Sequence, residues 1–396
     1  MTREIVLGVD FGTSYTSAGA LVDGRVEMVV DNGDPMIPSV VHIPERGPPL
    51  VGRAAVGQLA AYPGSTVASI KRIMGSDLSE AGALRRIAPT VPYRIMAGAG
   101  GSVLLKLRNQ DWVAEQVAAA ILDRVRALAE QRFGAVVRRI VVTASAVAST
   151  GYQVALRKAA RLAHLEILEI VAEPIAGALA AGMHARLGPR RMLICDFGGG
   201  TFDVTAIDQD ESRFRVLATG GDPFLGGDDL DQALVQALAG LIYKRAHFDL
   251  LRDAVRRQLL ALRCESTKRS LSTAAEARLT MRDAYIENGV NRDLDVIIER
   301  TWAAPLWAPL FARALAAVDA TLARAGWIDS DVDEVVLIGG TSLAPPFQEL
   351  VRRRFEHVEV TATDIANIAV AMGATLLTGR HGVGGSVPVL EHAASV

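Results

Sequence analysis

Apolar and polar positions along this chain fall into two alternating rhythms. Short aliphatic runs, Ile5-Val6-Leu7 and Met192-Leu193-Ile194 among them, show no polar face and predict strands covered on both sides. Residues 139–143, 166–171 and 335–338 predict further strands, the last running into Gly339-Gly340. Between them, residues 112–133 place Val113, Val117, Ala120, Ile121 and Leu128 at helical spacing and predict a long amphipathic helix. Residues 152–163 predict a second helix, and Glu173-Pro174 opens a third with proline in its first turn. Residues 228–280 read as mostly helical, while the Gly/Pro-rich stretches near 44–49 and 97–102 read as loops of an inserted lobe. Strands alternating with helices predict an α/β protein with largely covered sheets.

One pattern occurs twice. Asp10-Phe11-Gly12-Thr13-Ser14 and Asp196-Phe197-Gly198-Gly199-Gly200-Thr201 each follow a buried-strand run. Each continues into another apolar stretch and an expected acidic turn, Val22-Asp23-Gly24 and Ile207-Asp208-Gln209. The pattern predicts two similar halves, each opening with a strand, a glycine turn and an antiparallel strand. Such turns let backbone N–H groups point at phosphate oxygens. An aspartate ending the first strand would then lie beside phosphate, an arrangement that calls for Mg²⁺ held mostly through water. Two hairpins facing each other would clamp a triphosphate. They are not Walker A loops, since no Gly-Lys-Ser/Thr follows them.

Composition narrows the setting. The 396 residues carry 50% hydrophobic and 22% charged side chains with a net charge of −2, which suits a globular protein and gives no sign of nucleic-acid binding. The apolar stretch 113–122 is broken by Glu115 and Gln116, and no run of roughly 18 apolar residues is read as a membrane span. The N-terminus shows no secretory signal and the two cysteines make no disulfide framework, so a cytosolic protein is expected. Five of the 42 basic residues are lysines, at positions 71, 106, 158, 244 and 268, which makes each lysine worth attention in a chain that defaults to arginine.

These motifs resemble the nucleotide-binding domain of the heat-shock protein 70 family, within the actin/hexokinase superfamily. Besides the two phosphate turns, the resemblance rests on Ile70-Lys71-Arg72, Glu173-Pro174-Ile175-Ala176, Gly220–Asp228, Cys264–Ser272 and Ile338-Gly339-Gly340-Thr341-Ser342, all in family order. It implies an actin-like ATPase fold with two duplicated ribonuclease-H-like lobes around a nucleotide cleft. Lobe I is expected over 1–187 with an inserted subdomain at about 39–112. Lobe II is expected over 188–380 with an inserted helical subdomain at about 229–300, and 381–396 as a tail resembling a vestigial linker.

The resemblance also implies roles. Gly12, Thr13, Ser14, Gly198, Gly199 and Gly200 would cradle the phosphates, with Lys71, Glu173, Asp196 and Thr201 as the catalytic set. Lys71 would neutralise the γ-phosphate, Glu173 and Asp196 would orient the attacking water, and Thr201 would contact the γ-phosphate. Asp10 and Asp196 would hold the hydration shell of Mg²⁺, and Asp203 would help place a monovalent cation such as K⁺. Glu265, Lys268, Arg269 and Ser272 share one helix face, which alone would equally suit a salt-bridged surface. In the family's motif they bind adenosine, with Arg269 stacking on adenine and Gly339, Gly340 and Thr341 forming the adenosine loop.

Several positions depart from the family pattern. The family's peptide-binding domain is expected to be absent, and its linker is at best degraded at Gly384–Glu391. Ser145 and Gln153 stand where the family carries a relay proline and arginine, Leu343 replaces a stacking arginine, and Asn367 replaces an aspartate. The expected function is binding and slow hydrolysis of ATP with Mg²⁺, with lobe closure regulating an unidentified protein partner or co-chaperone and neither nucleic acid nor membrane involved. A nucleotide-regulated scaffold without hydrolysis, an actin-like filament subunit and a small-molecule kinase are the alternatives.

Overall fold

The computed structural model describes residues 3–76, 91–98, 103–180, 189–210, 213–362, 365–381 and 390–392. Two sheets of matching topology dominate it. In the first, β1 (Glu4–Phe11) pairs antiparallel with β2 (Tyr15–Val22), which pairs with β3 (Arg25–Met28). On its other side β1 lies parallel to β4 (Val136–Ala144), and β4 to β5 (Glu166–Ala172). The second sheet repeats this order with β6 (Arg190–Phe197), β7 (Phe202–Asp210), β8 (Arg213–Asp222), β9 (Glu334–Ile338) and β10 (Glu359–Ala362). The duplication read from the motifs is therefore a duplication of strand order.

The registers match in detail. Phe11 faces Thr16 and Asp10 faces Ser17 in the first hairpin; Phe197 faces Phe202 and Asp196 faces Asp203 in the second. Alternation turns Phe197 into the core while Asp196 takes the other face. There Phe197 packs against Phe202 and Phe347 with ring centroids 4.9 and 5.0 Å apart. Edge-to-face pairs of this kind contribute about 0.5–1.5 kcal/mol each beyond their buried area. The second glycine turn is thus anchored on both sides by its own aromatic residues.

Helices α1 (Ala114–Phe133) and α2 (Thr150–Leu162) pack their apolar faces into the lobe I core, and Ser149 caps α2 by accepting the Tyr152 N–H. In lobe II, α4 (Gly227–Ala246), α5 (Ala254–Leu271) and α6 (Arg300–Ala325) surround the aromatic core. Two short helices join the lobes: α3 (Glu173–Ala180), leaving β5, and α8 (Ala369–Leu377), after α7 (Pro345–Arg354). They cross where Gly373 lies against Ala176; a Cβ at 373 would sit 1.7 Å from the Ala176 carbonyl oxygen, so only glycine allows this approach. Val171, Ile175, Ile194, Ile338, Val370 and Leu377 fill the core between the sheets around that crossing.

The structure differs from the sequence reading at four places. The stretch read as helical to 280 is helix only to Leu271, and Glu276–Glu287 and Val290–Glu299 form a hairpin instead. The expected acidic turn at Ile207-Asp208-Gln209 is continuous strand through Asp210, and residues 211–212 lie outside the described residues. Arg300–Ala325 is long and apolar enough, by composition, to cross a membrane, which the reading overlooked. Its Trp307, Phe311, Ala314, Val318 and Leu322 are buried in the lobe II core, so the helix behaves as a core element. Finally, within the tail, Leu390–His392 adds a parallel strand to β8 at Phe214–Val216.

Candidate active site

A cleft of about 960 Å³ runs between the lobes. Gly12, Thr13, Ser14, Lys71, Glu173, Asp10, Asp196, Gly198, Gly199 and Thr201 line one end of it, and Glu265, Lys268, Arg269, Ser272, Gly339, Gly340 and Thr341 the other. Two of the expected residues do not line it. Gly200 is turned away, its carbonyl accepting from Arg72 Nη2 at 3.0 Å, and Asp203 is fully buried beneath the floor. The two turns meet closely: a Cβ on Gly199 would lie 2.0 Å from Ser14 Oγ.

At the first of these ends, carboxylates crowd together. Asp10 accepts a hydrogen bond from Thr143 Oγ1 at 3.0 Å, and Asp203 accepts one from Ser145 Oγ at 2.5 Å. Burial, reinforced by the neighbouring Glu173 charge, pushes Asp10 and Asp203 up to about 7; Lys71 and the hydroxyl donors only partly oppose it. Asp196 is raised well above the carboxylate range, by burial and then by Glu173, Asp203 and Asp10. Such a group of carboxyls calls for protons or cations.

Lys71 and Glu173 come from different elements, a 3₁₀ turn at Ile70–Arg72 and the first residue of α3, and they meet at 2.5 Å with both side chains buried. Burial opposes the Lys71 charge, but Glu173, Tyr152 and Asp10 outweigh it and hold the amine protonated, its pKa raised. The two residues expected to act on the γ-phosphate and on water are therefore partners of each other here.

The other end of the cleft, expected to take adenosine, is also self-engaged. Lys268 Nζ donates to Asp231 Oδ2 at 2.7 Å and to the Gly227 carbonyl at 2.9 Å. Arg269, expected to stack on adenine, lies over the Tyr15 ring at 5.5 Å and donates to its hydroxyl at 2.7 Å. Tyr15 in turn donates to Glu265 Oε1 at 3.1 Å, and burial followed by that carboxylate pushes its phenol up to about 12. Thr341 Oγ1 donates to the Gly198 carbonyl at 2.8 Å, fastening the Gly339–Thr341 loop to the second glycine turn. Leu343 and Asn367, the two substituted positions, line this end.

The sequence reading missed the bonds that hold the lobes together. Ser69 Oγ and Ser14 Oγ of lobe I both donate to Asp228, at 2.7 and 3.3 Å, and Arg72 Nη2 reaches Asp229 at 2.6 Å. Near the cleft mouth Val56 and Leu59 pack in one apolar cluster with Leu262 of α5. Ser14, Arg72 and Asp228 lie inside the motifs named above, so these residues are visible in the sequence, but nothing local encodes the pairing of Ser14 with Asp228 or of Arg72 with Asp229.

A family model described as Hsp70 protein matches residues 6–385. The chain belongs to the Hsp70 family. It has that family's actin-like ATPase fold, with the cleft lying between its two lobes. Among its relatives, heat shock 70 kDa protein BIP3 of Oryza sativa subsp. japonica is 34% identical over 377 residues, 94% of this chain. The chain spans 56% of the length of that relative.

Proposed function

We propose that this Hsp70-family chain binds ATP with Mg²⁺ in the cleft, hydrolyses it slowly, and uses the resulting lobe movement to regulate a protein partner or co-chaperone. The observation that carries this reading is the convergence of two glycine turns, the buried Lys71–Glu173 pair and the carboxylates of Asp10 and Asp196 in a single cleft, with Asp203 buried beneath it. Adenosine would lie between the Glu265–Ser272 face and the Gly339–Thr341 loop, once Arg269 swings from Tyr15 onto the base.

The residues fit a cation. Asp203 Oδ2 is buried without a partner that meets hydrogen-bond geometry, and the buried Asp196 and the half-buried Asp10 lie at the neighbouring strand ends. Among the described residues no three His, Cys, Asp or Glu side chains gather closely enough to chelate a metal alone. Mg²⁺ would therefore enter with the phosphates and water, held by Asp10 and Asp196 at a distance, and K⁺ would sit nearer Asp203. The ion supplies charge neutralisation on the phosphates. Lys71 would leave Glu173 for the γ-phosphate, freeing that carboxylate to accept a hydrogen bond from water. The cytosolic setting belongs to the same proposal: Cys195 and Cys264 are both buried and unpaired, so the fold uses no disulfide.

Calorimetric titration with Mg·ATP and a phosphate-release assay test the reading together. Wild type is expected to bind and turn over ATP, and Glu173→Gln, which preserves shape, to bind with turnover reduced by at least about tenfold. Absence of binding below millimolar concentration, or undiminished turnover in Glu173→Gln, would sink it.

A further inference from the structure

Just beyond β4, one face of the strand end addresses both lobes. Alternation places Thr143 and Ser145 on the same side. Thr143 Oγ1 donates to Asp10 in lobe I, and Ser145 Oγ donates to Asp203 in lobe II. The second bond crosses the lobe boundary under the cleft. The Ser145 oxygen also accepts the Val147 N–H at 3.3 Å, which occupies a lone pair and leaves its proton directed to the carboxylate. Asp203 is fully buried and gripped through Oδ1; the Thr201 hydroxyl also acts on this carboxylate, but Oδ2 makes no hydrogen bond of good geometry.

A carboxylate held by one oxygen presents the other in a fixed direction. Partners of this sort set the orientation of ion-binding side chains, and their loss typically costs about 10–100-fold in affinity. Proline, which the family pattern carries at this position, has no hydroxyl to give. We infer that Ser145 is a positioning residue, whose hydroxyl fixes Asp203 across the lobe boundary so that Oδ2 is set to hold a monovalent cation beside the phosphates. This rests on the Mg·ATP reading above. What looks in sequence like the loss of a relay is, in the structure, a new bond to the floor of the site.

The test is the rise in melting temperature caused by Mg·ADP, followed as KCl replaces NaCl at constant ionic strength. The wild-type rise should grow with KCl. Ser145→Ala should need about tenfold more KCl for half of the effect, whereas Ser145→Thr should match wild type. Ser145→Val, isosteric with threonine but without the hydroxyl, repeats the comparison should the alanine variant fold poorly. A merely structural Ser145 would lower every melting temperature alike and leave the KCl midpoint unmoved; that result overturns the inference. Equal responses to Na⁺ and K⁺ in wild type overturn it too. If Mg·ADP raises the wild-type melting temperature under no salt condition, the nucleotide reading itself fails and takes this inference with it.

Discussion

At Lys71, burial and charge pull in opposite directions. An ammonium placed among apolar side chains would lose its proton; the Glu173 carboxylate at 2.5 Å keeps it charged. Removing one member of such a pair leaves the other buried and alone, which typically costs about 3–5 kcal/mol. Lys71→Ala is therefore expected to lose stability as well as turnover, in contrast to a surface lysine. The double variant Lys71→Met/Glu173→Leu should recover most of that stability while remaining inactive, as read by urea denaturation beside phosphate release. Recovery of less than half would show that the pair is held by more than mutual neutralisation. The sequence made both residues legible, because each sits inside a quoted motif and lysine is scarce. Their contact was not legible: 102 residues separate them, and nothing local encodes it. The same holds for Arg72 with Asp229 and Tyr15 with Arg269, whose partners come from the opposite lobe.

Among the elements, the strands were readable because a buried parallel strand shows as an unbroken aliphatic run, and the two glycine turns marked where each hairpin reverses. The hairpin after α5 escaped for the converse reason. Glu276–Glu287 has one exposed face carrying Arg278, Arg282 and Asp283, so it shows no apolar run. Its turn nevertheless has a strong local signal, Asn288-Gly289 with φ of 53° and 78°, which fits a tight two-residue hairpin turn. A helix crossing leaves a fainter trace, a single glycine. Gly373→Ala should force α8 away from α3, at about 1–3 kcal/mol in stability. Because those helices join the lobes, nucleotide release should change as well. Measured by urea midpoint and by displacement of a fluorescent ADP analogue, an unchanged midpoint would mean that the crossing relaxes freely.

For the whole molecule, the buried carboxyls make stability a function of pH with an unusual sign. Asp10, Asp203 and Asp231 sit at about 7 in the folded chain against a reference of 3.8, and Asp196 is also raised. For each, burial is the largest cause, and the folded state keeps a proton that the unfolded chain has already released. Between about pH 4 and 7 the folded state thus binds more protons, so stability falls as pH rises, and the loss is complete above the folded pKa. Asp253 and Asp295, whose arginine partners hold them below the ordinary value, titrate beneath that window and do not cancel the trend. The ligand-free chain should therefore melt at a lower temperature at pH 8 than at pH 5. Mg²⁺ with ADP should flatten the slope, because cations then take the place of the protons on Asp10, Asp196 and Asp203. Asp10→Asn should shallow the ligand-free slope by removing one titrating group. Scanning calorimetry across that range decides the matter: a melting temperature that rises toward pH 8 without ligand, or a slope indifferent to Mg·ADP, would show that these carboxyls are not the cation-seeking floor of the cleft.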